Sequence, residues 1–214
     1  GPITDKDCKK MAQTMLNEKI PNVQKIQGRG NSRIYKVVTE TNQVYALKYY
    51  PDLLIDPRNR LQTEVLSCQL LETYQLTPKV IAYDAELNIA IYKWIEGNHL
   101  QSVENEHIDQ ALNFIKILQD IETPEFSKPA SEACTSAEQL FHQIEERHKK
   151  LDSIENNILQ NFLNTIFKPL YLDVKNWSTQ QWPANNFREI LETAKQTLSP
   201  SDFGIHNSIL RSDG

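Results

Sequence analysis

Four groups of residues in this chain have types and spacings suited to handling phosphate. Asp202 and Asn207 stand together in LSPSDFGIHNSIL, Lys48 lies in YALKYY, Glu64 in TEVLSCQLLE, and Gly28, Gly30, Asn31 and Ser32 in GRGNSRIYKV. Glycines between two strand-like segments let a backbone approach a phosphate with no Cβ in the way. An ordinary β-hairpin with a glycine at a bulge has the same composition. A strand lysine offers a positive charge to a phosphate, or serves only as an edge-strand charge.

Glu64 says more. At about 100° per residue it shares a helical stripe with Leu61, Cys68 and Leu71, so it points toward the surface the helix packs against. An unpaired carboxylate there costs roughly several kcal/mol of desolvation. Lys48, in the strand before the helix, is the natural cationic partner. The plain alternative is a carboxylate at the rim of the stripe that reaches water.

The spacing Asp, four residues, Asn fits Asp202 to Asn207 and also Asp152 to Asn157. With 11 Asp and 17 Asn among 214 residues, about one such match arises by chance. Context separates them: Asp152 sits in a charged helical face, whereas Asp202 follows Pro200 in a loop and precedes the strand-like SIL. Only the second place projects functional groups from a rigid support.

These residues need elements to hold them. From Val23 to Tyr50 the chain is rich in Val, Ile, Tyr and Lys and reads as three short antiparallel strands, with turns at Gly28 to Ser32 and Glu40 to Gln43. Pro57 opens a helical pattern through Tyr74, with Leu61, Val65, Cys68 and Leu71 on one face, and Pro78 closes it. KVIAYD and LNIAIYKWIEG follow as two more strands. After Gly97 the text turns helical. One helix covers ENEHIDQALNFIKILQDIE, with Ile108, Leu112, Ile115 and Leu118 on a stripe. A second helical region runs over 135–170, with Ser136 and Gln139 as its start signal and a charged outer face, and a third helix over 184–198. The expected organisation is an N-terminal helix in 1–22, where Gly1-Pro2 reads as a protease-cleavage scar, a nucleotide-binding lobe over 23–95, and a helical lobe over 96–214 with a catalytic loop at 199–209.

Composition narrows the class. Lys and Arg number 23 against 28 Asp and Glu, a formal charge of -5, and no block of like charge stands out, which argues against a phosphate-coating nucleic-acid binder. No run approaches the ~18 apolar residues of a membrane span, and the N-terminus lacks a signal-peptide core. Cys8, Cys68 and Cys134 are far apart and odd in number, reading as reduced thiols of a cytoplasmic protein.

Glycine turn, strand lysine, helix glutamate, an extended segment ending IYKWIEG, helices, then Asp-x-x-x-x-Asn is the order of parts in the protein-kinase fold. On YALKYY, TEVLSCQLLE, IYKWIEGNHL and above all LSPSDFGIHNSIL, the chain resembles the aminoglycoside phosphotransferase and choline kinase-like family, the small-molecule branch of that fold. The resemblance implies an α+β, two-lobed architecture: a five-stranded antiparallel lobe with one helix, and a mostly helical lobe. It implies ATP and Mg2+. Asp202 would be the catalytic-loop aspartate that accepts or orients the acceptor's hydroxyl proton, and Asn207 a magnesium ligand, so the letters D-F-G at Asp202 are a coincidence. Lys48, held by Glu64, would contact the α and β phosphates, with the backbone of Gly28, Gly30, Asn31 and Ser32 over them. Tyr92, Lys93, Trp94 and Ile95 would form the hinge that meets adenine through main-chain groups.

Where the family has a second metal-binding aspartate, after a short strand and turn, this chain stops at ILRSDG. Asp213 reads as a turn residue too close to Asn207 for that job, so the resemblance implies a C-terminally truncated member whose transfer is slow or absent. Pro200 replaces a histidine, and Ser32 and Arg33 replace a third glycine. The expected function is ATP-dependent transfer of the γ-phosphate to a hydroxyl of a small metabolite or aminoglycoside-like acceptor. Glu104, Glu106 and Asp109, or Glu145 and Glu146, would favour a cationic acceptor unless they are a solvated face. The rival is a non-catalytic nucleotide-binding or protein-interaction module.

Overall fold

The computed structural model of the chain describes residues 3–26, 32–54, 56, 58–183 and 186–214. It divides into two compact units, Gly1–Lys116 with Asp202–Gly214, and Ile117–Ser201.

In the first unit, helix α1 (Asp5–Leu16) starts at a capping box in which Thr4 and Asp7 each bond the other's backbone N–H. Strands β1 (Asn22–Ile26), β2 (Arg33–Val38) and β3 (Val44–Tyr49) follow, then helix α2 (Arg60–Leu71), then β4 (Val80–Asp84) and β5 (Ile89–Lys93). These form one antiparallel sheet in the order β1-β2-β3-β5-β4. The five strands and single following helix are those expected from the sequence. Pro57 lies outside the described residues, and Glu72–Tyr74 is a 3-10 turn that extends α2.

Side-chain alternation assigns the two faces of the sheet. Tyr35, Val37, Leu47, Ile89 and Ile91 pack against Cys8 and Ala12 of α1 and against Ile20. Ala90, Tyr92 and Tyr50 pack against Leu61, Val65 and Cys68 of α2. Strand β5, buried on both faces, is correspondingly an almost unbroken apolar run. The stripe Leu61, Val65, Cys68 and Leu71 is buried throughout.

Beyond β5 come β6 (Gly97–Asn98) and α3 (Asn105–Asp120). The α3 stripe is buried at Leu118 and half-buried at Ile115, while Ile108 and Leu112 stay exposed. In the second unit, α4 (Ala137–Asp152) is capped by Ser136, which accepts from the Gln139 N–H at 3.2 Å. The chain then breaks and continues as α5 (Asn157–Phe162), a π-helical turn (Leu163–Phe167) and α6 (Lys168–Gln181). Only the α4 part has the charged outer face expected of this region. Ile158, Phe162, Ile166, Leu170, Val174 and Trp177, nearly all four apart, are exposed.

The helix expected over 184–198 does not form; Ala184 and Asn185 lie outside the described residues, and the rest holds only a 3-10 turn at Thr193–Lys195. Its backbone is engaged elsewhere. The Glu138 N–H, one of the free donors of the first turn of α4, donates to the Phe187 carbonyl at 3.0 Å, and the Leu191 N–H donates to Thr135 O at 2.7 Å. The Phe187 ring stacks on Phe141 at 5.7 Å between centroids. The chain re-enters the first unit through Asp202 and ends with β7 (Leu210–Arg211).

Candidate functional site

Strand β3 presents Lys48 on the face that α2 covers, the same side as Ala46, with Leu47 and Tyr49 on the other. One α2 turn beyond Leu61, Glu64 faces it. Lys48 Nζ donates to both carboxylate oxygens of Glu64, at 2.8 and 2.7 Å. The side chains are 20% and 36% exposed, so the pair is screened from bulk water but open to a ligand. Lys48 Nζ also sits 5.0 Å from the centroid of the Tyr50 ring, within cation–π range.

Tyr50 was not singled out in the sequence, yet it is 1% exposed and its hydroxyl lies 2.7 Å from that of Tyr92, itself 4% exposed. Burial pushes both phenols well above their ordinary range, and the nearby Glu64 charge adds to it. Burial also pushes the Cys68 thiol up to about 11, with Glu64 contributing. The two phenols and the thiol beside the Lys48–Glu64 pair therefore stay neutral at physiological pH. The only outward sign of Tyr50's role in the text is its place two residues after Lys48.

Gly28, Gly30 and Asn31 lie outside the described residues. Ser32 has a buried hydroxyl with no hydrogen-bond partner among the described residues. Along IYKWI, Tyr92 sits inside the sheet opposite Ala46 and Val80. The Lys93 N–H donates to Lys79 O at 2.9 Å and the Trp94 N–H to Val44 O at 3.3 Å. Ile95 is the first residue past the ladder, and neither its N–H nor its C=O finds a main-chain partner among the described residues. Trp94 lends its ring to Lys36, at 4.6 Å.

Asp202 and Asn207 are brought together by a tight turn. The backbone passes through Ser201 at φ 60°, and Ile205–Asn207 forms a 3-10 turn. Asn207 Nδ2 donates to the Asp202 carbonyl at 2.8 Å and to Asp202 Oδ2 at 3.2 Å. The Asp202 side chain is 88% exposed, with His206 Nε2 3.9 Å from its Oδ1. Because the nitrogen of the Asn207 amide is engaged, its oxygen is the end left to accept.

Strand pairing holds this loop. Gly97 and Asn98 of β6 pair with Arg211 and Leu210 of β7, and the Ser212 N–H donates to Glu96 O at 3.0 Å. A Cβ on Gly97 would lie 2.2 Å from the Leu210 carbonyl oxygen, so only glycine allows this approach. His99 Nδ1 bonds Ser208 O at 2.9 Å, Arg211 Nη1 donates to Gln75 O at 3.0 Å, and the Phe114 and Phe203 rings meet at 5.1 Å. Asp213 pairs with Arg211 at 3.1 Å, as a turn residue would.

The other Asp–Asn match has no such arrangement: Asp152 ends α4 beside His148, at 3.4 Å, and Asn157 opens α5. The carboxylates of α4 are engaged within their own unit. Glu145 accepts from the Tyr171 hydroxyl and Lys175, which hold its carboxyl below the usual range, and Glu146 accepts from Lys149. Among the described residues, no three His, Cys, Asp or Glu side chains cluster as metal ligands, and no helix is long and apolar enough to cross a membrane.

No family model matches the chain, and no curated protein does. Solved structures do. Choline kinase LicA from Streptococcus pneumoniae superposes at a TM-score of 0.50 and 18% identity, over 89% of this chain and 68% of that one. LicA in complex with AMP gives 0.47 and 21%, over 83% and 59%. Plasmodium vivax ethanolamine kinase gives 0.42 and 17%, over 85% and 60%. The chain thus has the protein-kinase-like α+β fold of the choline kinase structure, and spans 59% to 68% of the length of these three solved chains.

Proposed function

We propose that this chain carries the nucleotide site and the catalytic loop of an ATP-dependent phosphotransferase acting on a hydroxyl of a small molecule. The observation that carries the reading is the two-oxygen clasp of Glu64 on Lys48. Phosphoryl transfer needs positioning and charge neutralisation more than a strong nucleophile, and a partly exposed lysine fixed by a carboxylate would supply both to the α and β phosphates. The unpaired main-chain groups of Ile95 suit the edge of a purine, and the orphaned Ser32 hydroxyl suits a phosphate oxygen.

Asp202 would accept the proton of the acceptor hydroxyl as its oxygen forms the bond to phosphorus and the bond to the nucleotide's leaving oxygen breaks. Its exposure keeps it reachable. Asn207 has a role in holding that carboxylate and its backbone in place. Its amide oxygen is a hard donor of the kind Mg2+ takes alongside substrate phosphates, and the ion would supply neutralisation of phosphate charge when bound. The likeness in fold to a choline kinase supports a small acceptor.

The test is a calorimetric titration of the chain with ATP, with and without Mg2+, beside Lys48→Ala. Binding that strengthens with Mg2+ and weakens at least about tenfold in the variant supports the reading. Equal affinity of the variant and the parent overturns the assignment of Lys48.

A further inference from the structure

A lysine ammonium on a flexible four-carbon stem is not positioned by one half-exposed ion pair alone, because such pairs contribute little and leave the stem free to swing. In this chain a second group stands against it. The Tyr50 ring faces Lys48 Nζ at 5.0 Å, while Glu64 takes the ammonium through two hydrogen bonds. The ring is fixed at both ends. Its backbone N–H donates to Asn88 O at 2.9 Å, and its hydroxyl is bonded to that of Tyr92 at 2.7 Å. Leu61, Val65 and Cys68 of α2 and Ala90 of β5 complete the enclosure.

We propose that Tyr50 is a positioning residue for Lys48: its ring, locked by the hydroxyl bond to Tyr92, forms the wall against which Glu64 holds the ammonium. The assignment of Lys48 to phosphate rests on the function proposed above; the positioning of Lys48 by Tyr50 does not. Tyr50 touches no ligand atom in this role and acts only through Lys48.

The two claims separate in one set of variants: Tyr50→Phe, which keeps the ring, Tyr50→Leu, which removes it, and Tyr92→Phe, which removes the lock. The first readout needs no ligand. Each lysine of the folded chain is labelled competitively with acetic anhydride, and the rates are read by mass spectrometry, with half-buried Lys36, held over the Trp94 ring in the same unit, as the control for folding and exposed Lys149 as the control for reagent. Lys48 is expected to react about fivefold faster in Tyr50→Leu, at the parent rate or slightly above in Tyr50→Phe, and between the two in Tyr92→Phe, with the controls unchanged. A Lys48 rate unaltered in Tyr50→Leu with unchanged controls overturns the proposal. So does a rise shared by all lysines in both Tyr50 variants, which would mark Tyr50 as core packing only.

The second readout is affinity for ATP and for adenosine. If Lys48 meets phosphate, Tyr50→Leu weakens ATP about fivefold and leaves adenosine unchanged. A chain that binds neither, yet shows the selective rise in Lys48 labelling, keeps the positioning role and refutes the nucleotide reading.

Discussion

Lys48 Nζ bridges both oxygens of Glu64, across from a helix whose other inward residues are apolar. The carboxylate on that stripe is therefore matched rather than merely tolerated. Removing either partner leaves the other half-buried and alone. Glu64→Gln and Lys48→Met are each expected to destabilise the chain by about 1 kcal/mol, and the double variant by less than their sum, with a coupling near 1 kcal/mol. Urea unfolding of the four proteins measures this cycle.

Gly97→Ala is expected to be among the costliest small substitutions in the first unit. Its Cβ would strike the Leu210 carbonyl oxygen at 2.2 Å and the Ile209 side chain at 2.7 Å, so β6 and β7 must part. A loss of about 2 kcal/mol is expected. Hydrogen exchange should rise at Ser212, whose N–H is bonded to Glu96 O, more than in the central strands.

Asp202 and Asn207 should differ in what they contribute to stability. Asp202 is almost fully exposed, so Asp202→Ala should shift stability by no more than about 0.5 kcal/mol. Asn207→Ala loses the bonds to the Asp202 carbonyl and carboxylate and should cost about 1 kcal/mol. Thermal denaturation of the two variants checks the order; a larger loss for Asp202→Ala would contradict it.

Stability should carry a carboxylate signature at low pH. Asp56, 6% exposed, accepts two bonds from the Arg58 guanidinium and has Arg60 nearby, and Arg58 holds its carboxyl down to about 2 from an ordinary 3.8. A folded-state value below the unfolded one means the contribution is complete above about pH 4 and is lost as pH falls through about 2. The difference in melting temperature between the parent and Asp56→Asn should therefore be constant at neutral pH and shrink across that window.

The sheet, α2 and the Lys48–Glu64 pair were legible because each rests on a local period: alternation for the strands, the Leu61, Val65, Cys68 and Leu71 stripe for the helix, and the phase of Glu64 on that stripe. The Asp202 turn could be told from its rival at Asp152 by its setting between a proline and a strand. Other features were not local. Tyr50 matters because its ring meets a side chain two residues back and a hydroxyl from β5, and no period announces that. The segment 184–198 has helical composition, but its carbonyls and N–H groups complete the first turn of α4, a partner some fifty residues earlier that propensity does not see. Ile108 and Leu112 show the converse, a good apolar stripe with only its last residues buried.

The pairing of Gly97 and Asn98 with Arg211 and Leu210 sets where variation can be accommodated. The chain departs from the sheet at one strand of this small ladder and comes home on the other, so the entire length of Ile117–Ser201 is an excursion with both ends clipped. Lengthening such an excursion adds little to the entropy of closing it, about 0.6 kcal/mol for each doubling. Insertions, deletions and replacement confined to Ile117–Ser201 would leave the geometry of the Asp202–Asn207 turn in place, provided the glycine remains.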